Sequence, residues 1–231
     1  MNKKLNVLAL FPWYPANAPR FFADAFEQLG HRVFRVGPTY FDHYGLQWPK
    51  DELPLVDHEI VRESPVWNLN GCLDVAAKNG IVPDLIFLSE ETYQTRIVPT
   101  DKVPVVLWSA DGWPDAFARK KVIQPTIAYT QHPFGVNPAP QLHIPDGWKF
   151  LPAGYSTKFH KYLNLPERQI DFTLYCTMYG KRQQLCDELS NLGFEVSSGQ
   201  RTISDYVYGY NNGLFTYHNC NGQAEVKWRF L

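Results

Sequence analysis

The 231-residue chain carries 22 basic and 23 acidic residues, a formal net charge of -1 at pH 7. That balance excludes a strong global attraction to nucleic acid or anionic membrane and leaves only local patches. Hydrophobic residues at 45% and charged residues at 19% are ordinary for a globular protein, whereas aromatics at 15%, with 13 Tyr and 7 Trp, are in excess.

Residues 5–11 form an apolar run that reads as a buried strand. Lys3-Lys4 ahead of it and Ala16-Asn17-Ala18 behind it loosely mimic a signal peptide. The apolar run is short, is interrupted by Asn6 and leads straight into an amphipathic segment, so a first Rossmann strand is the better reading. Asn17 is placed to cap a helix with Pro19 in its first turn. Phe21, Phe22, Ala25, Phe26 and Leu29 fall on one helical face, and Gly30 ends the helix. Residues 32–36 are the next strand. This β-α-β spacing implies a parallel sheet.

Residues 41–63 are Pro- and aromatic-rich and read as irregular. A helix is expected over 65–79, with Leu69, Cys72, Leu73, Ala76 and Ala77 as its stripe. Strands follow at 84–88, 104–108 and 126–130, with a helix over 111–121. A Pro-containing loop covers 131–147, and 148–151 is a short strand. The pattern then restarts, with a turn-like linker at Leu165-Pro166-Glu167-Arg168. Strand 172–177, helix 180–192 and strands 194–197 and 213–217 follow, with Leu185, Leu189 and Leu192 expected inward. The fold class is therefore α/β, with an N-terminal Rossmann-like parallel-sheet domain over 1–160 and a partial second one over 161–231. Residues 224–231 read as a helix start with no Gly, Asn or Pro to stop it, so the second lobe is expected to be cut off.

Cys72, Cys176, Cys186 and Cys220 show no C-x-x-C spacing, which argues against a zinc or redox motif. They read as buried thiols in a reducing compartment, hence a cytoplasmic protein. No apolar run reaches the roughly 18 residues of a membrane helix. His43, His58, His132, His143 and His160 include no pair at i, i+4, so no metal-binding helix is expected and no metal is assigned.

In open parallel sheets, ligands sit at the carboxyl ends of strands. Five loops are placed there: 12–15, 89–92, 109–113, 177–182 and 218–227. Thr177-Met178-Tyr179-Gly180-Lys181-Arg182 joins a strand to a helix, whose free N–H groups suit a phosphate. Gly180 permits close backbone approach, while Lys181 and Arg182 add charge. The alternative is a solvated first turn. The segment His218-Asn219-Cys220-Asn221-Gly222-Gln223, followed by Lys227 and Arg229, repeats the arrangement. Asp111, in Trp108-Ser109-Ala110-Asp111-Gly112-Trp113, is placed either to deprotonate an acceptor hydroxyl or to cap the next helix. Glu90 and Glu91 compete for the base role. Trp13 and Tyr14 can stack on a sugar or base, or simply cover their loop. With them, Trp113 and His132 are assigned to the acceptor side.

Together these stretches resemble the GT-B glycosyltransferases, specifically the CgeB-like (spore maturation protein) branch near glycosyltransferase group 1. The segment Val105-Val106-Leu107-Trp108-Ser109-Ala110-Asp111 is similar to that family's strand ending in a Trp-x-x-Asp loop. Phe150-Leu151-Pro152-Ala153-Gly154-Tyr155 is similar to its Leu-Pro lead into the second lobe. Residues 171–182 resemble its Asp-x-x-Phe-x-Gly…Arg strand, loop and helix, and residues 224–231 resemble the start of its donor helix. The match spans most of 100–231, carried by order and spacing rather than by any one motif. Two departures stand out: Cys176 and Thr177 replace a usual Gly, and residues 11–15 lack one.

The resemblance implies transfer of a sugar from a nucleotide-diphosphate sugar, of UDP type, to an acceptor hydroxyl without a metal or other cofactor. Gly180, Lys181, Arg182, Lys227 and Arg229 would bind the donor diphosphate. Asp111 would be the base, with Glu90 as the alternative, and the family's donor-binding Glu would fall just past Leu231. The acceptor is left open among polysaccharide, protein, metabolite and modified nucleobase. Two other readings stand beside this one. The first is a truncated, non-catalytic binding or interaction module that self-associates through its unfinished second sheet. The second is a flavodoxin-like nucleotide-binding domain without transfer chemistry.

Overall fold

The structure is a computed structural model that describes residues 3–42, 45–60, 69–89, 103–109, 124–130, 147–151, 156–176, 178 and 180–216. The chain divides into two compact units. One contains Met1–Phe41 and Pro54–Gly154; the other contains Asp42–Leu53 and Tyr155–Gly222.

Among the described residues, the first unit is built on a seven-stranded, wholly parallel sheet. Its strands are β1 (Asn6–Leu10), β2 (Arg32–Gly37), β3 (His58–Glu59), β4 (Leu85–Ser89), β5 (Val105–Ser109), β6 (Ile127–Thr130) and β7 (Trp148–Phe150). They lie in the order β3-β2-β1-β4-β5-β6-β7. The order reverses between β1 and β4, which is the topological switch of a doubly wound sheet.

Strand side chains alternate between faces, and a parallel sheet buries both. Leu8, Leu10, Val36, Ile86, Leu88 and Leu107 pack on one face with Leu69, Cys72 and Ala76 of α2 (Leu69–Lys78). Val7, Ala9, Phe11, Val33, Phe87 and Trp108 pack on the other with Ala23, Phe22 and Phe26 of α1 (Ala18–Gln28). Each fully buried Leu, Ile or Phe contributes roughly 1.5–3 kcal/mol by leaving water.

The second unit has a three-stranded parallel sheet among the described residues, in the order β10-β8-β9. Its elements are β8 (Ile170–Leu174), α3 (Lys181–Asn191), β9 (Val196–Ser198), α4 (Ile203–Asn212) and β10 (Gly213–Thr216). Right-handed crossovers put α3 and α4 on opposite faces of this sheet. A Cβ on Gly213 would fall 2.7 Å from Thr173 Cγ2, and one on Gly209 would fall 1.9 Å from Tyr175 Oη. The two glycines therefore let α4 and the start of β10 lie close against Thr173 and Tyr175.

Several expectations shift in detail. Asn17 is the N-cap residue of α1, but its side chain makes no capping bond; its Nδ2 donates to Pro12 O instead. The buried face of α1 runs through Pro19, Arg20 and Ala23, while Leu29 is 73% exposed. Arg20 can lie inside because its Nη1 donates to Pro15 O at 2.8 Å. Leu192, expected inward, is exposed at the end of α3. Helix α4 is an element that the sequence pattern did not mark.

Residues 42–53 return to the second unit after β2 and end in a 3-10 turn, Lys50–Glu52. The Glu52 carboxylate is buried there and accepts from Ile203 N at 2.7 Å and Ser204 N at 2.8 Å. It also accepts from the Ser204 hydroxyl. A residue some 151 positions away in sequence thus caps α4, neutralising the positive end of its dipole.

Candidate functional site

Gly180, Lys181 and Arg182, expected on the donor side, lie where β8 gives way to α3. Gly180 is the N-cap of α3 with φ +48 and ψ -121, a conformation that side-chain-bearing residues avoid. A Cβ at Gly180 would meet nothing within 4 Å, so the backbone here faces open space. As the N-cap residue, Gly180 has no side chain with which to cap α3. Lys181 is exposed and Arg182 half-buried, with its Nε shielded from solvent. The β8–α3 connection therefore combines a glycine N-cap at positive φ with two consecutive cations at the carboxyl edge of the sheet. That combination can accept an anion, a diphosphate above all. Lys227 and Arg229 lie outside the described residues.

On the first unit, β4, β5 and β6 end in Ser89, Ser109 and Thr130, all buried. Ser109 pairs with Thr130, and Ser89 pairs with Trp108, the residue before Ser109. The loops that carry Glu90, Asp111, Trp113 and His132 therefore begin at three neighbouring strand ends. Those four residues themselves lie outside the described residues. The Trp108 indole, fully buried against Phe22, donates its N–H to Leu151 O at 3.0 Å. This fixes the end of β5 against the chain leaving β7.

Trp13 needs correcting as a stacking platform. It is 0% exposed, with its ring centroid 4.1 Å from that of Phe11. The Arg35 guanidinium lies 5.9 Å from the ring centroid on β2. Trp13 N donates to Pro38 O, and Tyr40 N donates to Trp13 O, so the loop after β1 continues pairing with the chain after β2. A Cβ on Gly37 would lie 2.1 Å from Phe11 O, which explains the glycine at the end of β2. The Trp13 ring is core; Tyr14, half-buried, is the aromatic of that loop left near the surface.

The cysteines follow burial. The Cys72 thiol is pushed up to about 11 by burial, and burial raises Cys186 as well. Cys176 is only half-buried, and Cys220 lies outside the described residues. Among the described residues, no group of three or more His, Cys, Asp and Glu side chains lies together to hold a metal ion. No helix among them is long and apolar enough to cross a membrane.

No protein-family model matches the chain, and a search of curated proteins found no match. Solved structures do match. One is the glycotransferase of kitacinnamycin, superimposable with a TM-score of 0.50 at 10% sequence identity. The match covers 85% of this chain, which spans 65% of the length of that one. At this identity the likeness concerns fold. With its doubly wound seven-stranded sheet and second small parallel sheet, the chain has a GT-B-like α/β fold.

Proposed function

We propose that the protein is a glycosyltransferase that moves a sugar from a nucleotide-diphosphate sugar to an acceptor hydroxyl, without a metal. The observation that carries this reading is the β8–α3 connection. Gly180, at positive φ and facing open space, opens α3 with no side chain of its own to cap it, and Lys181 and Arg182 follow at once. A diphosphate is the ligand such an edge suits, with backbone N–H groups and guanidinium sharing its charge. The GT-B-like fold shared with a glycotransferase supports the reading. The CgeB-like branch, the UDP-type donor, the contributions of Lys227 and Arg229, and Asp111 or Glu90 as base belong to the same proposal. The acceptor loops would supply Tyr14, Trp113 and His132.

Titration with UDP tests it. UDP should raise the melting temperature of the chain. Replacing both Lys181 and Arg182 by Ala should weaken binding at least about tenfold, the worth of one charge-assisted contact. If neither UDP nor any other nucleoside diphosphate shifts the melting temperature, the donor site does not exist.

One observation favours the interaction-module alternative. Phe215 on β10 is 62% exposed and stacks on Phe172 with a centroid separation of 5.5 Å. Phe194 lies against Phe172 and is also exposed. Apolar surface of this kind suits a protein partner. The same titration separates the readings, since an interaction module has no need of a nucleotide.

A further inference from the structure

Cys176 and Cys186 lie on one side of the second sheet, and the proposed sugar transfer uses neither. Thr173 and Tyr175 point to α4, where a Cβ on Gly213 or Gly209 would run into them. Side chains alternate along extended chain, so Leu174 and Cys176 point to the opposite side, the side of α3. Cys186 is the buried residue of α3, and its thiol shares a side-chain hydrogen bond with Ser198. Ser198 ends β9 and pairs in register with Leu174, the last residue of β8. Gly199 N, donating to Leu174 O at 3.1 Å, fastens that pairing. The Cys186 thiol therefore lies over the end of β8. Cys176 follows two residues further on, a span of about 7 Å in extended chain. The electrostatics agree with this placing: burial pushes the Cys186 thiol up, and the nearby Cys176 adds to the push.

The two thiols differ in access, which gives them different roles. Cys176 is half-buried, whereas Cys186 is 5% exposed. A thiol attacks a disulfide as its thiolate, and access decides which thiol goes first. Cys176 is the sulfur that a small-molecule disulfide reaches. Its thiolate attacks one sulfur of that disulfide, which forms a mixed disulfide on Cys176 and releases the other half as a thiol. Cys186 then gives up its proton and attacks Cys176 Sγ, which closes the bond within the chain and releases the second half as a thiol. Both protein thiols are oxidised, and the small-molecule disulfide is reduced to two thiols. A disulfide needs Cα atoms about 4.4–6.8 Å apart. Cys176 lies beyond the end of β8, and Gly180 faces open space at positive φ, so the connection has room to settle toward α3.

We infer that Cys176 and Cys186 are a redox pair, oxidised by a small-molecule disulfide to a reversible bond that closes a ring around the Gly180–Arg182 turn. The inference does not depend on the donor site. Its test incubates the folded full chain with glutathione disulfide, unfolds it in iodoacetamide to block the remaining thiols, and maps the peptides by mass spectrometry. A mixed disulfide on Cys176 should appear first and give way to a linked peptide containing Cys176 and Cys186. Dithiothreitol should reverse the link, and the buried Cys72 should be recovered as the blocked thiol. In Cys186→Ser the reaction should stop at one glutathione on Cys176. In Cys176→Ser, Cys186 should stay reduced. The unsubstituted chain decides the matter alone, so a variant that fails to fold leaves the test intact. A mixed disulfide that persists on Cys176 there would mean that Cys186 cannot reach it, and would overturn the inference. Full recovery of both thiols in blocked form would overturn it equally.

Discussion

Trp13 shows how a single residue can be read two ways until its neighbours are known. An aromatic in Pro12-Trp13-Tyr14-Pro15 after the first strand is compatible with a sugar platform. The deciding fact is the pairing of Trp13 with the chain after β2, which continues the sheet past β1 and draws the ring inside. Trp13→Ala should therefore cost about 3–5 kcal/mol, as large core truncations do. A surface platform would cost within about 0.5 kcal/mol. Chemical denaturation distinguishes the two, and a small change would return Trp13 to the surface. His160 makes a second case at this scale. Burial holds its imidazole below the ordinary 6.5, and its Nδ1 accepts from Ser156 N at 2.8 Å, which requires a lone pair on that nitrogen. The unfolded chain takes up a proton near 6.5, but the folded chain resists it until lower pH. The stabilisation is thus complete above that value and is lost as pH falls from there through the folded pKa. Melting temperature should drop between about pH 7.5 and about pH 5.5, and His160→Asn should flatten that drop. An unchanged slope in the variant would assign the acid sensitivity to other groups.

At the scale of elements, strands were the most legible part of the sequence. A parallel strand buried on both faces reads as a continuous apolar run, and β1, β4 and β5 carry such runs. Helix faces were less legible. Arg20 counts as polar in any periodic pattern, yet it is 3% exposed because Pro15 O and Asp24 satisfy its guanidinium. That one buried cation rotates the inferred face of α1 toward Ala25 and Leu29. Helix α4 escaped notice for a different reason. Its Tyr, Val and Gly content favours strand or turn over helix. The available signal was the Thr202-x-x-Asp205 spacing, which the structure realises as a cap with Thr202 Oγ1 accepting from Asp205 N at 3.2 Å. Of the proposed donor site, the sequence marked the Gly180–Arg182 turn because helix-start chemistry is local. It could not mark the placing of Arg201 over the Tyr175 ring, which depends on Tyr175, Ser197 and Gly209 meeting across two strands and a helix.

At the scale of the whole chain, the least expected feature is the path of residues 42–53, which leave the first sheet between β2 and β3 and belong to the second unit. Composition gives no hint of this, because the segment reads only as irregular and Pro-rich. Its anchor is Glu52, 2% exposed and bonded to the first turn of α4. Removing that carboxylate leaves a buried N–H at Ile203 without its acceptor and takes one of two carboxylates, Asp205 being the other, from the start of the helix. Glu52→Ala should therefore cost about 2–3 kcal/mol, the sum of a lost cap and an unsatisfied donor. The location of the loss matters more than its size. Each unit has its own core, so opening should stay within the unit that is weakened. Hydrogen exchange on Glu52→Ala should show lost protection in α4 and in β10, which follows it directly, and unchanged protection in β1, β4 and β5. Uniform loss across both sheets would mean that the chain unfolds as one cooperative body. Unchanged protection in α4 would mean that the 3-10 turn rides on the second unit without supporting it.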